Sequence, residues 1–179
     1  MDTHAVEGDS NGGGTSIHIT ALDGIINVNS LFTLAAFVGL AWNPSSDGAS
    51  LADGECSAGD KVEEDLVSFH VFAFASFLFS SLVALCLKQA IRTIRPPGGA
   101  RAARVNRAVL RGGILACAAG SVFGCGFLML ALVNVVQVKL GRLGCGGGAS
   151  LGAIVPLVTL VPTAMLIYAA IVFYAFTRS

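Results

Sequence analysis

Few polar side chains in this sequence could do chemistry, and they are scattered. His70 is a titratable group inside an apolar run, about one helical turn from an acidic segment, where it could relay protons. Asn27 and Asn29 stand at the start of another apolar run and could line a polar path. Because no carboxylate accompanies His70 in its run, we favour a satisfied interfacial histidine. We likewise favour asparagines that bond to a neighbouring helix or lie at headgroup depth.

Patterns typical of catalysis or metal binding are missing from the sequence. It has neither HExxH nor GxSxG, and its glycine-rich segments 12–14 and 139–150 lack the Lys-Ser/Thr of a phosphate loop. The acidic segment 43–65 does not match an EF-hand. We therefore expect a protein that is not an enzyme and holds no cofactor or metal. A net charge of +0 also argues against nucleic-acid binding.

The five cysteines carry no CxxC spacing, which argues against a zinc or thioredoxin-type site. Cys86, Cys117 and Cys125 lie within apolar runs, where cysteine behaves as a small packing residue. Cys56 and Cys145 fall in two loops that we expect on the same side of a membrane. A disulfide between them and a pair of free thiols both remain open, since the distance between their α-carbons cannot be read from sequence.

Four apolar runs must position these residues. Hydrophobic residues make up 54% of the 179 residues and charged residues 12%, against about 25% charged in a typical soluble domain. The mean hydropathy is +0.76. We predict an all-α membrane protein with a four-helix transmembrane bundle in residues 24–177, after a disordered acidic tail at residues 1–23. The predicted spans are 24–42, 66–87, 112–138 and 151–176.

The connector 88–111 between the second and third runs fixes the expected topology. It holds most of the chain's 11 Lys and Arg residues and no acid. The positive-inside rule places this connector in the cytoplasm. With four spans, both termini are then expected in the cytoplasm as well. The membrane is expected to be either the plasma membrane or an endomembrane. The same cations could bind anionic lipid. They are Lys88, Arg92, Arg95, Arg101, Arg104, Arg107 and Arg111.

The third run contains a small-residue face at Ala116, Gly120 and Gly124. Residues four apart stack on one side of a helix, so these three form a groove that another backbone can approach closely. The partner is either another helix of this chain, which we favour, or a second protomer. In the fourth run, Pro156 and Pro162 should each bend or unwind the helix.

Two stretches of the first half carry a family resemblance. They are Asp23-Gly24, Asn29-Ser30-Leu31-Phe32-Thr33 and Phe37-Val38-Gly39-Leu40 in the first run, and Phe77-Leu78-Phe79-Ser80-Ser81-Leu82-Val83-Ala84 in the second. With these residues the chain resembles a plant family labelled "maternal effect embryo arrest" proteins, over residues 23–91. It departs at Leu85-Cys86, where the family has a Gln-Gly-like pair, and at His70, where an acid is common. The resemblance implies a plant four-pass membrane protein and no particular reaction.

Two functions follow from these observations. The first is a non-catalytic adaptor, scaffold or accessory subunit that acts through helix–helix contacts, with membrane lipids and a membrane-protein partner or further copies of itself around it. The alternative is a small channel or transporter subunit that uses the polar path of Asn27, Asn29 and His70.

Overall fold

The computed structural model describes residues 12–41, 59–93, 107–141 and 148–178, with side chains at 19–41, 59–93, 108–141, 148–172 and 174. These residues form four helices and no strand. The helices are α1 (Gly12–Ala41), α2 (Asp60–Thr93), α3 (Arg107–Leu140) and α4 (Gly148–Arg178). Each contains a segment long and apolar enough to cross a membrane: Ile19–Ala41, Asp60–Thr93, Ala108–Leu140 and Gly148–Val172. The predicted all-α, four-helix membrane architecture is confirmed.

Helix α1 begins much earlier than expected. The sequence predicts a disordered tail at residues 1–23, but the helix already starts at Gly12; residues 1–11 lie outside the described part. The reason is that the apolar face continues upstream of the charge-free run. Leu22 is 1% exposed, and Ile19 and Ile25 pack beside it against the other helices. Asp23 ends the charge-free apolar run in the sequence, but the buried apolar face of α1 continues on both sides of it.

Helices α2 and α3 also extend into the segment predicted as the connector 88–111. Ile91 on α2 is buried, and Leu110 and Ile114 on α3 pack around the same cluster, so inward apolar contacts hold both helices together beyond the predicted spans. The connector between them is therefore 94–106, and it lies outside the described residues. Four of the basic residues belong to helices instead: Lys88, Arg92, Arg107 and Arg111.

The ends of α2 and α3 carry ordinary stop and start signals. Asp60 and Glu63 lie in the first turn of α2, where a negative charge is favourable beside the unpaired N–H groups of a helix start. Helix α3 ends before Gly141, whose φ of 93° is a left-handed conformation that glycine adopts without strain. The Gly141 N–H donates to the Gln137 carbonyl at 3.1 Å and closes the last turn.

The expected unwinding of α4 does not occur. The helix is continuous from Gly148 to Arg178 although Pro156 and Pro162 lie inside it. Each proline removes only one backbone donor, and a hydrocarbon environment offers the remaining polar groups no alternative to the helix.

Helix α2 is the centre of the assembly. It packs most extensively against α3 and next against α1, whereas α4 packs mainly on α3. Buried residues form two apolar clusters along these contacts, one with Leu22, Ala84, Leu87, Ile91 and Cys117, the other with Ala36, Ala73, Phe77 and Leu128. Burial separates the inner helices from the outer ones: 33% of the most apolar stretch of α2 and 39% of that of α3 lie inside the protein, but only 11% for α1 and 6% for α4. Helix α4 is therefore peripheral.

Candidate functional site

A buried polar cluster lies between the two apolar clusters and joins three helices. The Asn29 side-chain amide on α1 donates to the Ser80 hydroxyl on α2 at 2.7 Å, and that hydroxyl donates to the Cys117 carbonyl on α3 at 2.7 Å. The Ser121 hydroxyl on α3 donates to Oδ1 of Asn29 at 3.0 Å. Asn29 is 2% exposed and Ser80 is fully buried. Their side-chain oxygens and the amide nitrogen are thus bonded within the bundle.

This arrangement favours a structural role for Asn29. Hydrogen bonds between transmembrane helices contribute about 0.6 kcal/mol on average, and they fix the rotation of each helix about its axis. The sequence had pointed to Asn29 but not to Ser80 and Ser121 as its partners. A usable signal was present, because Ser121 follows Cys117 by four residues on the face beside the glycine groove of α3.

The other residues of the predicted polar path lie elsewhere. Asn27 is exposed on the outside of α1. His70 is 3% exposed, and its Nδ1 lies 2.8 Å from the Leu66 carbonyl, which can only accept, so Nδ1 carries the proton. On α2, His70 is ten residues from Ser80, or about 15 Å along the helix. The structure therefore does not bring Asn27, Asn29 and His70 together.

His70 also fixes the approach of α1. A Cβ placed on Gly39 would collide with the His70 ring, so only glycine allows the two helices to lie this close. A cavity of about 620 Å³ opens beside the ring, between α1, α2 and α3. Its walls are mostly aliphatic, and Lys139 lies at its edge.

The glycine face of α3 lies against α2 of the same chain. A Cβ on Gly124 would come within 2.7 to 2.9 Å of the Phe77 ring. One on Gly120 would lie 3.0 Å from Cβ of Ser80 and 3.2 Å from the Ser76 carbonyl oxygen. Ala116, the third residue of the predicted groove, is partly buried. Helix α2 therefore fills this groove, and we call Gly120 and Gly124 the α3 glycine face.

A second pair of glycines four residues apart was missed by the sequence analysis. Gly148 and Gly152 begin α4 with the same GxxxG spacing, and both are exposed. Among the described residues, a Cβ on either would meet nothing within 4 Å. The predicted fourth span begins at residue 151, so Gly148 falls outside it and the pair is not visible within that span.

Small side chains continue along the outer surface of α4. At 100° per residue, Thr159, Thr163 and Ala170 stand on the same side as the two glycines, and all are exposed. We call this surface the α4 outer face: Gly148, Gly152, Thr159, Thr163 and Ala170. The two threonine hydroxyls donate to carbonyls of their own helix, at 2.8 Å to Val155 and 2.6 Å to Thr159. Val155 and Leu166 lie on the same side of the helix and are also exposed, so the face combines small side chains and satisfied hydroxyls with two large apolar side chains.

The described basic residues do not gather into one site. Lys88 forms an ion pair with Asp23, which lies within the candidate span of α1. Arg92 is exposed near the end of α2, and Arg111 is partly buried near the start of α3. Arg107 is placed by its backbone alone, and Arg95, Arg101 and Arg104 lie outside the described residues.

The cysteines and the ionisable side chains make no reactive constellation in the described ranges. Cys86, Cys117 and Cys125 are free thiols there, while Cys56 and Cys145 lie outside those ranges, so the disulfide stays a prediction. No group of three or more His, Cys, Asp or Glu side chains is placed to hold a metal ion within the part of the chain that the structure describes.

We find no match to this chain among protein-family models, curated proteins or solved structures. The resemblance to the plant family therefore stays a prediction.

Proposed function

We propose that this four-helix membrane protein is a non-catalytic adaptor or accessory subunit, and that the α4 outer face binds a helix of a partner membrane protein. The observation that carries the proposal is the GxxxG pair at Gly148 and Gly152, which no helix of this chain covers among the described residues.

The contrast with lipid contact supports this assignment. Lipid tails are as apolar as leucine side chains, so a face that meets only lipid has no need of small residues. Large side chains are exposed elsewhere on α4, such as Leu160 at 68% and Ile171 at 63%, and no pair of glycines accompanies them. The α4 outer face also carries Val155 and Leu166, but it sets two glycines, two threonines and an alanine among them, and small residues of these types are enriched at helix interfaces in membranes.

The position of α4 in the bundle supports it further. Helix α4 is held mainly by α3, on the side opposite its outer face, so a partner helix can reach that face without displacing any helix of this chain. Thr159 and Thr163 are already satisfied by backbone carbonyls, so the face is stable in lipid before a partner binds. The hydroxyls can then be shared across the interface, as threonine does between packed helices.

The expected topology belongs to the same proposal. Lys88 and Arg92 near the end of α2, and Arg107 and Arg111 at the start of α3, put basic residues at the same end of the bundle. By the positive-inside rule, that end and both termini face the cytoplasm. Reporter fusions at the two termini measure on which side of the membrane each terminus lies. A terminus on the non-cytoplasmic side would contradict this topology but would not contradict the adaptor role.

The channel or transporter alternative has weaker support among the described residues. A conducting route needs polar groups in sequence along the bundle, but Asn29 is engaged by Ser80 and Ser121 and Asn27 faces outward. Flux through reconstituted vesicles tests this alternative. Transport that is lost in Asn29→Leu but retained in Asn27→Leu would favour it over the adaptor.

The adaptor proposal is tested by gentle purification from native membranes, followed by the mass of the intact complex and the identity of its subunits. We expect a stoichiometric foreign membrane protein with the wild type, and its loss with Gly152→Leu. Gly112→Leu is the matched control, because Gly112 is also helical, exposed and open around its Cβ but lies on α3.

Two results would contradict the proposal. One is a complex that survives Gly152→Leu unchanged. The other is a homo-oligomer of this chain alone, dependent on Gly152, which would assign the same face to self-association.

A further inference from the structure

A cavity of about 600 Å³ lies where α1, α3 and α4 approach one another. Helices α1 and α4 both line it, yet they are not among the helix pairs in extensive contact, so the cavity occupies the gap between them. Its apolar lining comes from all three helices: Ile25, Val28, Phe32, Val122, Leu160 and Met165. The size is typical of pockets that take a compact organic molecule, about 300–1,000 Å³.

Three polar side chains also lie on the cavity wall: Asn29, Ser121 and Tyr168. Asn29 and Ser121 are the members of the buried cluster that face this side. The Tyr168 hydroxyl is buried and makes no hydrogen bond of good geometry among the described residues, with the Ser121 hydroxyl as its nearest polar side chain on the wall. The Ser81 hydroxyl is in the same condition, but of the two it is Tyr168 that lines this cavity.

An unpartnered buried hydroxyl is costly in any protein and more so in a hydrocarbon environment. A phenol can both donate and accept one hydrogen bond, and it is best matched by a group that does the same. A ligand hydroxyl has this property. No Asp, Glu, Lys or Arg is among the described residues that line the cavity, so those walls offer nothing to neutralise a phosphate or a carboxylate.

We propose that this cavity binds a neutral membrane lipid whose polar group is a single hydroxyl, the chemistry of a sterol. The rigid apolar body fills the space between α1 and α4, and the ligand hydroxyl bonds to the Tyr168 hydroxyl near Asn29 and Ser121. Such a ligand covers apolar surface that neither helix covers for the other. The inference is independent of the partner proposed for the α4 outer face.

The first test uses the full-length protein in detergent with a photoreactive sterol. We expect saturable labelling that unlabelled sterol competes away, and about five-fold weaker competition by the sterol whose hydroxyl is methylated, since that change removes one donor. Tyr168→Phe should weaken labelling of the photoreactive sterol by a similar factor. Tyr174→Phe is the matched control, because Tyr174 is on the same helix but 60% exposed and outside the cavity.

A second variant tests the cavity itself without touching a polar group. Gly24 lines the cavity, and a Cβ there would meet nothing within 4 Å, so Gly24→Leu projects a side chain into the space without a clash. We expect labelling to fall by about ten-fold or more. Gly112→Leu adds the same bulk at an equally open glycine outside the cavity and should leave labelling unchanged.

The proposal is overturned if labelling does not saturate, or if Gly24→Leu labels as strongly as Gly112→Leu. It is also overturned if the sterol and its methyl ether compete equally, because the hydroxyl would then have no partner in the site. If Gly152→Leu loses the partner protein but keeps sterol labelling, the sterol site and the partner-binding face are shown to be independent of each other.

Discussion

Helices α3 and α4 each carry two glycines four residues apart, but the two motifs have opposite surroundings. The α3 glycine face is filled by α2, to the point that a Cβ on Gly124 would collide with Phe77. The pair on α4, Gly148 and Gly152, has open space around both Cβ positions within the described part of the chain. The same spacing thus builds the interior of the protein in one helix and remains available in the other.

The difference teaches that a small-residue motif in a membrane helix predicts close packing but does not identify the partner. The partner of the α3 glycine face is helix α2 of the same chain, because the buried residues Phe77 and Ser80 of α2 lie at the same level as the glycines. On α4 the side that carries the motif points away from α3 and from the rest of the bundle. The predictions below test this difference, from the largest expected effect on stability to the smallest.

Gly124→Leu should destabilise the protein most. The new side chain must displace the Phe77 ring, which is fully buried and stacks on Phe32 with centroids 5.3 Å apart. Overpacking of a filled core costs about 1–3 kcal/mol. Reversible unfolding in detergent micelles measures it, with Gly152→Leu as the counterpart on the open motif, where we expect a change within about 0.5 kcal/mol. Equal losses in both variants would break the comparison between the two helices.

Asn29→Leu should have the next largest effect. It removes the amide that joins α1 to the other two helices, so the Ser80 hydroxyl loses a donor and the Ser121 hydroxyl loses an acceptor. Interhelical hydrogen bonds of this kind contribute about 0.6 kcal/mol on average and up to about 1.7. The same unfolding assay measures the loss, and Asn27→Leu, on the exposed side of α1, should be neutral. A destabilised Asn27→Leu variant would show that α1 buries a different face.

Lys88→Met should have the smallest effect. Lys88 pairs with Asp23, but both side chains are partly exposed, and such pairs contribute about 0–1 kcal/mol. Unfolding at low and high salt separates this charge effect from packing, because salt screens exposed pairs. We expect a small loss at low salt that disappears at high salt. A loss that persists at high salt would point to packing of the lysine stem instead.

Much of this architecture follows from the sequence. Four uncharged apolar runs can only be helices in a membrane, and the four-residue spacing of Gly120 and Gly124 correctly marks a close helix contact. The helix ends could not be predicted from hydropathy. Inward apolar residues such as Leu22 and Ile91 continue each helix past its charged residues, and only three-dimensional packing shows which face is inward.

The candidate site was less accessible to sequence reasoning. Asn29 stands out in an apolar run, but its partners Ser80 and Ser121 are 51 and 92 residues away, and serine is common in membrane helices. The open motif at Gly148 and Gly152 straddles the start of the predicted span 151–176, so the pattern within that span does not show it. Which glycine pair is filled depends on how the helices are arranged, and spacing within one helix carries no information about that.

The most direct measurement is photocrosslinking from the α4 outer face in native membranes. A photoreactive residue in place of Thr163 lies in the middle of that face, and one in place of Leu31, which is 68% exposed on α1, serves as the control. We predict a cross-link from position 163 to one foreign membrane protein, with only lipid adducts from position 31. Lipid adducts alone at both positions would contradict the assignment of α4 as the partner-binding helix.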